Sequence, residues 1–138
     1  MQLRSDFNIG AVSSTQWNIL SGSEFPFSEH AFLAALEESS CVGEESGWQP
    51  CHLTLWDNQK LQGGLCLYEK NNSYGEYIFD WGWAKAYERY GLNYYPKLVS
   101  AIPFTPATGA KLLVHPDTDK DNVRKKLLEG ALVSMRER

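Results

Sequence analysis

Apolar positions along this chain change period several times, and each change marks an element. Leu3 to Ile9 reads as a short first strand. Ser13-Ser14-Thr15 ahead of Gln16-Trp17-Asn18-Ile19-Leu20 predicts a short helix stopping before Gly22. A second helix is predicted over Glu29 to Ser39, with Phe32, Leu33 and Leu36 on one stripe. Ser28 is its expected N-cap, and Phe27 with Phe32 has the spacing of a hydrophobic staple. Cys51 to Trp56 then alternates, Leu53 and Leu55 on one face, His52, Thr54 and Trp56 on the other. After the turn residues Asp57-Asn58-Gln59-Lys60, Leu61 to Glu69 forms a second strand, and the two pair as an antiparallel hairpin. Gly63-Gly64 inside it signals a bulge or a close backbone approach. A two-residue loop at Asn58-Gln59 puts Cys51 opposite Cys66, and a bulge shifts that by one.

Asn71-Asn72-Ser73 breaks the strand, and residues 74–79 read as either loop or extended chain. Asp80 stands where an N-cap would, ahead of a helix closing at Gly91 with Trp83, Tyr87 and Tyr90 on one face. Leu98 to Ile102 reads as a buried strand, Pro103 to Gly109 as a rigid loop and Lys111 to Val114 as a short strand. Asp119 caps a last helix whose stripe is Val123, Leu127, Leu128, Ala131, Leu132 and Met135. The order β-α-α-β-β-α-β-β-α predicts one α+β (mixed α/β) domain over residues 1–138. The expected architecture is a mixed sheet with the hairpin at its centre, flanked by helices, the Ser28–Ser39 helix lying on the Leu53/Leu55 side.

Charge and composition then narrow the function. The net charge is −4, which argues against a broad nucleic-acid face. No run of about 18 apolar residues and no basic leader with an apolar run is present, so neither a membrane span nor a secretory signal is expected. The three cysteines lack CxxC spacing and read as reduced thiols of a cytoplasmic protein. The three histidines are scattered, and no metal site is expected. The aromatic distribution changes the picture most. All seven tyrosines lie between Tyr68 and Tyr95. Each carries a hydroxyl that must be satisfied if buried, so this density suits the lining of a ligand groove as well as it suits a core.

Within that segment, Glu76 and Asp80 are carboxylates flanked by aromatics, hence candidate general bases; Asp80 has the alternative reading of a plain helix cap. Tyr74, Tyr77, Tyr94 and Tyr95 suit stacking on a sugar or base, and Lys97 suits pairing with a phosphate or carboxylate. No Ser-His-Asp or Cys-His arrangement suggests a covalent nucleophile.

The string Ser73-Tyr74-Gly75-Glu76-Tyr77-Ile78-Phe79-Asp80-Trp81, then Ala86-Tyr87-Glu88-Arg89, Tyr94-Tyr95-Pro96-Lys97-Leu98 and Ala101-Ile102-Pro103-Phe104-Thr105-Pro106, is distinctive. With Pro26-Phe27-Ser28, Phe32-Leu33-Ala34-Ala35-Leu36-Glu37 and Gly47-Trp48-Gln49-Pro50 upstream, it resembles the bacterial FemAB-like proteins, a peptidoglycan-related group of GNAT-like N-acyltransferases. The resemblance implies an acyl-CoA N-acyltransferase (GNAT-like) fold. It also implies that these residues form the N-terminal half of a longer two-half protein, with the C-terminal half as partner. The implied reaction passes an acyl or aminoacyl group to an amine of a small cell-wall-type acceptor. The donor would be acyl-CoA or aminoacyl-tRNA in the full-length protein, tRNA being the one nucleic acid expected. Glu76 and Asp80 are then the catalytic candidates, and Tyr74, Tyr77, Trp81, Tyr94, Tyr95, Lys97 and Phe104 the substrate-binding ones. One departure matters. The loop Pro103 to Gly109 holds one glycine, two prolines and no GxG, which makes a poor pyrophosphate cradle, so no cofactor is expected for this stretch. The alternative is a non-catalytic glycan- or peptide-binding module, or a purely structural half-domain.

Overall fold

A computed structural model describes residues 1–138. The elements are β1 (Gln2–Asp6), α1 (Ser14–Ser21), α2 (His30–Glu38), β2 (Gln49–Pro50), β3 (His52–Asp57), β4 (Lys60–Leu65), β5 (Tyr68–Lys70), α3 (Trp81–Arg89), β6 (Lys97–Val99), β7 (Leu112–Val114) and α4 (Lys120–Arg136). Short 3₁₀ turns at Ile9–Ala11 and Pro26–Ser28 precede α1 and α2. The α+β class holds. The single mixed sheet does not: there are two sheets, ordered β1-β3-β4-β7 and β2-β5-β6, and every pairing is antiparallel.

The β3–β4 hairpin lies at the centre of the larger sheet, as expected. Its register skips one residue between Leu55 and Trp56, so that Leu55 faces Gly63 and Trp56 faces Leu61. The bulge carries Cys51 opposite Leu67, whose carbonyl accepts the Cys51 N–H at 2.9 Å, instead of opposite Cys66. The two glycines are needed for close approach. A Cβ on Gly63 would sit 2.5 Å from Val123 Cγ1, and one on Gly64 would sit 2.6 Å from Trp17 Cζ3. Helices on both faces therefore press on the hairpin where it has no side chains.

Both faces of the central hairpin are buried. Leu53, Leu55 and Leu65 pack with Val123 and Leu127 of α4, while Trp56, Leu61 and Leu113 pack with Trp17, Leu20 and Leu33 of α1 and α2. The helix on the Leu53/Leu55 side is thus α4, and α2 covers the opposite face. Each buried aliphatic side chain contributes roughly 1.5–3 kcal/mol. The α4 stripe is narrower than its sequence suggests. Val123, Leu127 and Gly130 are buried, whereas Leu128, Leu132 and Met135 are exposed. At about 100° per residue these three lie beyond the arc a flat sheet can cover.

Ser28 does not cap α2. Its hydroxyl donates to Phe25 O, and its carbonyl accepts the buried Trp17 indole N–H at 2.9 Å. The α2 N-terminus is served from α1, where Asn18 Oδ1 accepts the His30 N–H. The Phe27–Phe32 staple does form, with ring centroids 5.3 Å apart. Beneath α2, fully buried His52 accepts the Leu67 N–H at Nδ1, which leaves Nε2–H to face Glu37 Oε2 at 3.2 Å; Glu37 Oε1 accepts the Ile9 N–H.

The second hairpin strand ends early. After Leu65 the chain crosses through Cys66-Leu67, and Tyr68–Lys70 joins the smaller sheet between β2 and β6. The predicted strand at Leu98 to Ile102 shortens to Lys97–Val99 beside it. This small sheet positions the site.

Candidate functional site

Pairing of β5 with β6 sets Lys70 directly opposite Lys97. Like charges facing each other across strands destabilise a sheet unless an anion separates them. Here Glu76 does so. Its Oε2 lies 2.9 Å from Lys70 Nζ as an ion contact, and its Oε1 accepts a 2.8 Å hydrogen bond from Lys97 Nζ. Lys97 also donates to Asp80 Oδ2 at 2.5 Å and to Ser73 Oγ at 3.0 Å. Tyr94 donates its hydroxyl to the same Asp80 oxygen at 2.6 Å, and the Tyr95 hydroxyl meets Ser73 Oγ at 2.6 Å. Lys70 has no exposed side-chain surface; it donates to Tyr74 O and its ammonium lies 3.9 Å from the Trp48 ring centroid. Two ammoniums and two carboxylates, all largely withdrawn from water, thus alternate in one cluster.

Local backbone features bring these groups together. The turn Ser73-Tyr74-Gly75 returns the chain over Trp48, and Gly75 adopts φ +81° with the Phe104 ring lying where a Cβ would go. The Phe104 N–H closes this turn by donating to Gly75 O. Tyr77 and Phe104 themselves adopt left-handed φ values of 63° and 58°, a conformation that side-chain-bearing residues hold only when their surroundings impose it. The Tyr95–Pro96 peptide bond is cis. Asp80 precedes α3 in the N-cap position, but its carboxylate accepts no bond from the helix and turns instead to Lys97 and Tyr94.

Electrostatics follow from this geometry. Burial pushes the Asp80 carboxyl up, but the hydrogen bonds from Lys97, Ser73 and Tyr94 outweigh it and hold the group down at about 2. Burial pulls Lys97 down, and Asp80 and Glu76 more than reverse this, so Lys97 titrates above the usual lysine range. Lys70 titrates below that range because desolvation exceeds the compensation from Glu76. Tyr94 is raised by burial and by its bond to Asp80. At neutral pH Asp80 is therefore a fixed anion and a weak base, and Lys97 a fixed cation.

Two grooves flank the cluster. The larger, about 830 Å³, is lined by Trp81, Lys85, Glu88, Leu92, Tyr94 and Tyr95 among others. The smaller, about 380 Å³, is lined by Glu76, Tyr77, Ile78 and the loop from Thr105 to Thr108, with Lys111. Of the residues singled out in the sequence, Glu76, Asp80, Lys97, Tyr94 and Tyr95 make mutual contacts, Trp81 joins the larger groove and Tyr77 the smaller. Tyr74 stands edge-on to Trp81 and Phe104 packs on Trp48, and neither lines either of these two grooves. Sequence reasoning missed Lys70, Ser73 and Lys111. Period-2 alternation did carry a signal for Lys70, since it shares a strand face with buried Tyr68.

α3 buries none of its residues. Trp83, Tyr87 and Tyr90 share a face as expected, and that face is exposed, together with neighbouring Tyr77, Ile78 and Phe79. No three His, Cys, Asp or Glu side chains gather as a metal site would require, and no helix is long and apolar enough to cross a membrane.

A family model described as peptidoglycan biosynthesis/recognition, FemAB-like, matches residues 8–138. No curated protein and no solved structure matches the chain. The chain belongs to the FemAB-like family.

Proposed function

We propose that this FemAB-like chain binds the acceptor of an N-acyl transfer, an amine of a cell-wall-type molecule, with Glu76 as the base facing that amine. The observation that carries the reading is the charge cluster between two grooves, with Glu76 opening onto one and Tyr94 and Tyr95 forming a wall of the other. In the transfer a C–N bond forms to the acyl carbonyl and the bond from that carbonyl to the donor's thiol or hydroxyl breaks. Glu76 takes the amine proton, and the leaving group is protonated in turn. Asp80, held anionic by Lys97 and Tyr94, positions Lys97 and is too weak a base for the proton step. A GNAT-like second half, holding acyl-CoA or aminoacyl-tRNA, would supply the donor and cover the exposed face of α3.

Glu76 also separates two lysines, so its removal alone confounds chemistry with folding. The test is transfer of a labelled acyl group to a peptidoglycan precursor by the full protein carrying Lys70→Met, compared with Lys70→Met/Glu76→Gln. Loss of roughly 10²–10⁴-fold in turnover between two folded variants supports the base assignment. Equal turnover removes it.

A second reading, a non-catalytic glycan- or peptide-binding module, is favoured by one observation: both oxygens of Glu76 already contact ammonium groups. Under it, the precursor binds and no transfer occurs with any donor.

A further inference from the structure

The two sheets have four edge strands, β1 and β7 in the larger and β2 and β6 in the smaller. Three of these are short or broken by proline, as natural edges commonly are. β2 is two residues long and ends at Pro50, β6 is three residues long and follows Pro96, and β7 is three residues long. β1 has five residues, Gln2-Leu3-Arg4-Ser5-Asp6, with no proline, glycine or lysine, and it pairs with β3 without a bulge. Gln2 to Ser5 are exposed, and no hydrogen bond from elsewhere in the chain reaches the outward side of the β1 backbone. Leu3 and Ser5 share the face covered by α4, where Leu3 lies against Gly130. Arg4 and Asp6 share the other face, with the Arg4 guanidinium 4.8 Å from the Trp56 ring centroid. Neither forms an ion pair within the chain. Asp6 accepts the Thr54 hydroxyl at Oδ2 and leaves Oδ1 without a partner.

We infer that the free edge of β1 pairs antiparallel with β1 of a second copy, forming a two-fold homodimer with Ser5 on the axis. Two identical strands paired in this way have their axis perpendicular to the sheet, so each face stays on its own side. Directly opposite side chains point to the same face, so the axis passes through a residue and never between two. An axis through Arg4 or Asp6 sets like charges opposite each other, which destabilises a ladder. An axis through Gln2 or Leu3 leaves Asp6 with no opposite residue. An axis through Ser5 sets Arg4 opposite Asp6 of the second copy, and Asp6 opposite its Arg4. It also brings exposed Leu3 opposite exposed Phe7. That register alone pairs both charges and covers both apolar side chains. The four-stranded sheets of the two copies then continue as one sheet. So short a ladder is small beside a standard interface of roughly 1,200–2,000 Å², so the dimer is a weak one, with dissociation on the order of micromolar. No residue of the charge cluster or lining either groove forms this register, so the inference is independent of the function proposed above.

The test is sedimentation velocity of the full protein from about 1 to 500 µM, a span that brackets a micromolar equilibrium. The expected result is a mass that rises from one copy towards two and stops there, because a two-fold pairing closes. Arg4→Glu sets a carboxylate opposite Asp6, and Asp6→Lys sets an ammonium opposite Arg4. Each variant alone turns two attractive pairs into repulsive ones and should raise the dissociation constant by about tenfold or more. Mixed in equal amounts, the two variants set unlike charges opposite each other at both positions, and they should associate about as tightly as the wild type. The wild-type mass curve and Arg4→Glu decide the matter even where Asp6→Lys, which loses its bond to Thr54, folds poorly. A protein that remains a single copy throughout overturns the inference and leaves the edge to another segment or partner. Growth past two copies, a mass curve unmoved by Arg4→Glu, or folded variants that fail to associate when mixed overturn it equally.

Discussion

Replacing Glu76 by Gln removes the one anion in contact with Lys70 and leaves that lysine, with 0% of its side chain exposed, facing Lys97 across the β5–β6 ladder. Lys97 retains Asp80, so the loss falls on Lys70. Breaking a buried ion pair by removing one partner costs about 3–5 kcal/mol, because the remaining charge stays out of water uncompensated. Against a total stability of about 5–15 kcal/mol this is a large fraction, and at roughly 3–5 °C per kcal/mol it predicts a fall in melting temperature of about 10–20 °C. Urea unfolding followed by tryptophan fluorescence and far-UV circular dichroism measures it. Two further readings test the cause. Lys70→Met/Glu76→Gln, which deletes both charges and keeps the aliphatic stem over Trp48, should return to within about 1–2 kcal/mol of the wild type. The pH dependence should also change sign-specifically. Lys70 already titrates below its usual range, and loss of Glu76 lowers it further. Between that lowered value and the ordinary lysine range the unfolded chain binds the extra proton, so the variant should gain stability as pH rises through this window. A cost under about 1 kcal/mol, the worth of a surface pair, or no rescue by Lys70→Met, would refute the account of this cluster as a buried charge lattice.

Asp80 is held at about 2 against an ordinary 3.8, so its contribution is complete above the ordinary value and is lost as pH falls towards 2. Asp80→Asn should flatten the acid limb of an unfolding curve in that window. Gly64→Ala forces a Cβ to 2.6 Å from the buried Trp17 ring and should cost roughly 1–3 kcal/mol by thermal melting. Among the thiols, Cys41 is exposed, whereas burial raises Cys51 and pushes Cys66 up to about 12. A disulfide-exchange reagent should therefore count one rapidly reacting thiol in the native chain and three after unfolding, and a final count of one would mean a disulfide. Trp83→Ala, on the exposed face of α3, should leave stability within about 0.5 kcal/mol, whereas Trp48→Ala, fully buried beneath the cluster, should cost about 3–5 kcal/mol.

Local pattern was enough for most elements. The Gly63-Gly64 signal, the hairpin, the Asp119 cap and the end of α1 at Gly22 depend on backbone geometry and short-range bonding, which neighbouring residues determine. The segment that holds the charge cluster stood out in the sequence too, because all seven tyrosines lie there, a density that suits a groove as well as it suits a core. Periodicity says which face is apolar but not which helix covers it. Leu53 and Leu55 met α4 and not α2 because the order of strands in the sheet, set by long-range pairing, decides which helix reaches which face. Ser28 has the chemistry of a cap, yet the buried Trp17 indole needed an acceptor and Asn18 could serve α2 from α1. Asp80 has the position of a cap, yet its carboxylate went to Lys97 and Tyr94, since a part-buried carboxylate gains more from a charge-assisted pair and a hydroxyl than a helix end loses by being left to water. The cluster itself joins residues from a strand, a turn, a helix start and a second strand. Its partners lie up to 27 positions apart, from Lys70 to Lys97, and only the antiparallel register of β5 with β6 makes them neighbours.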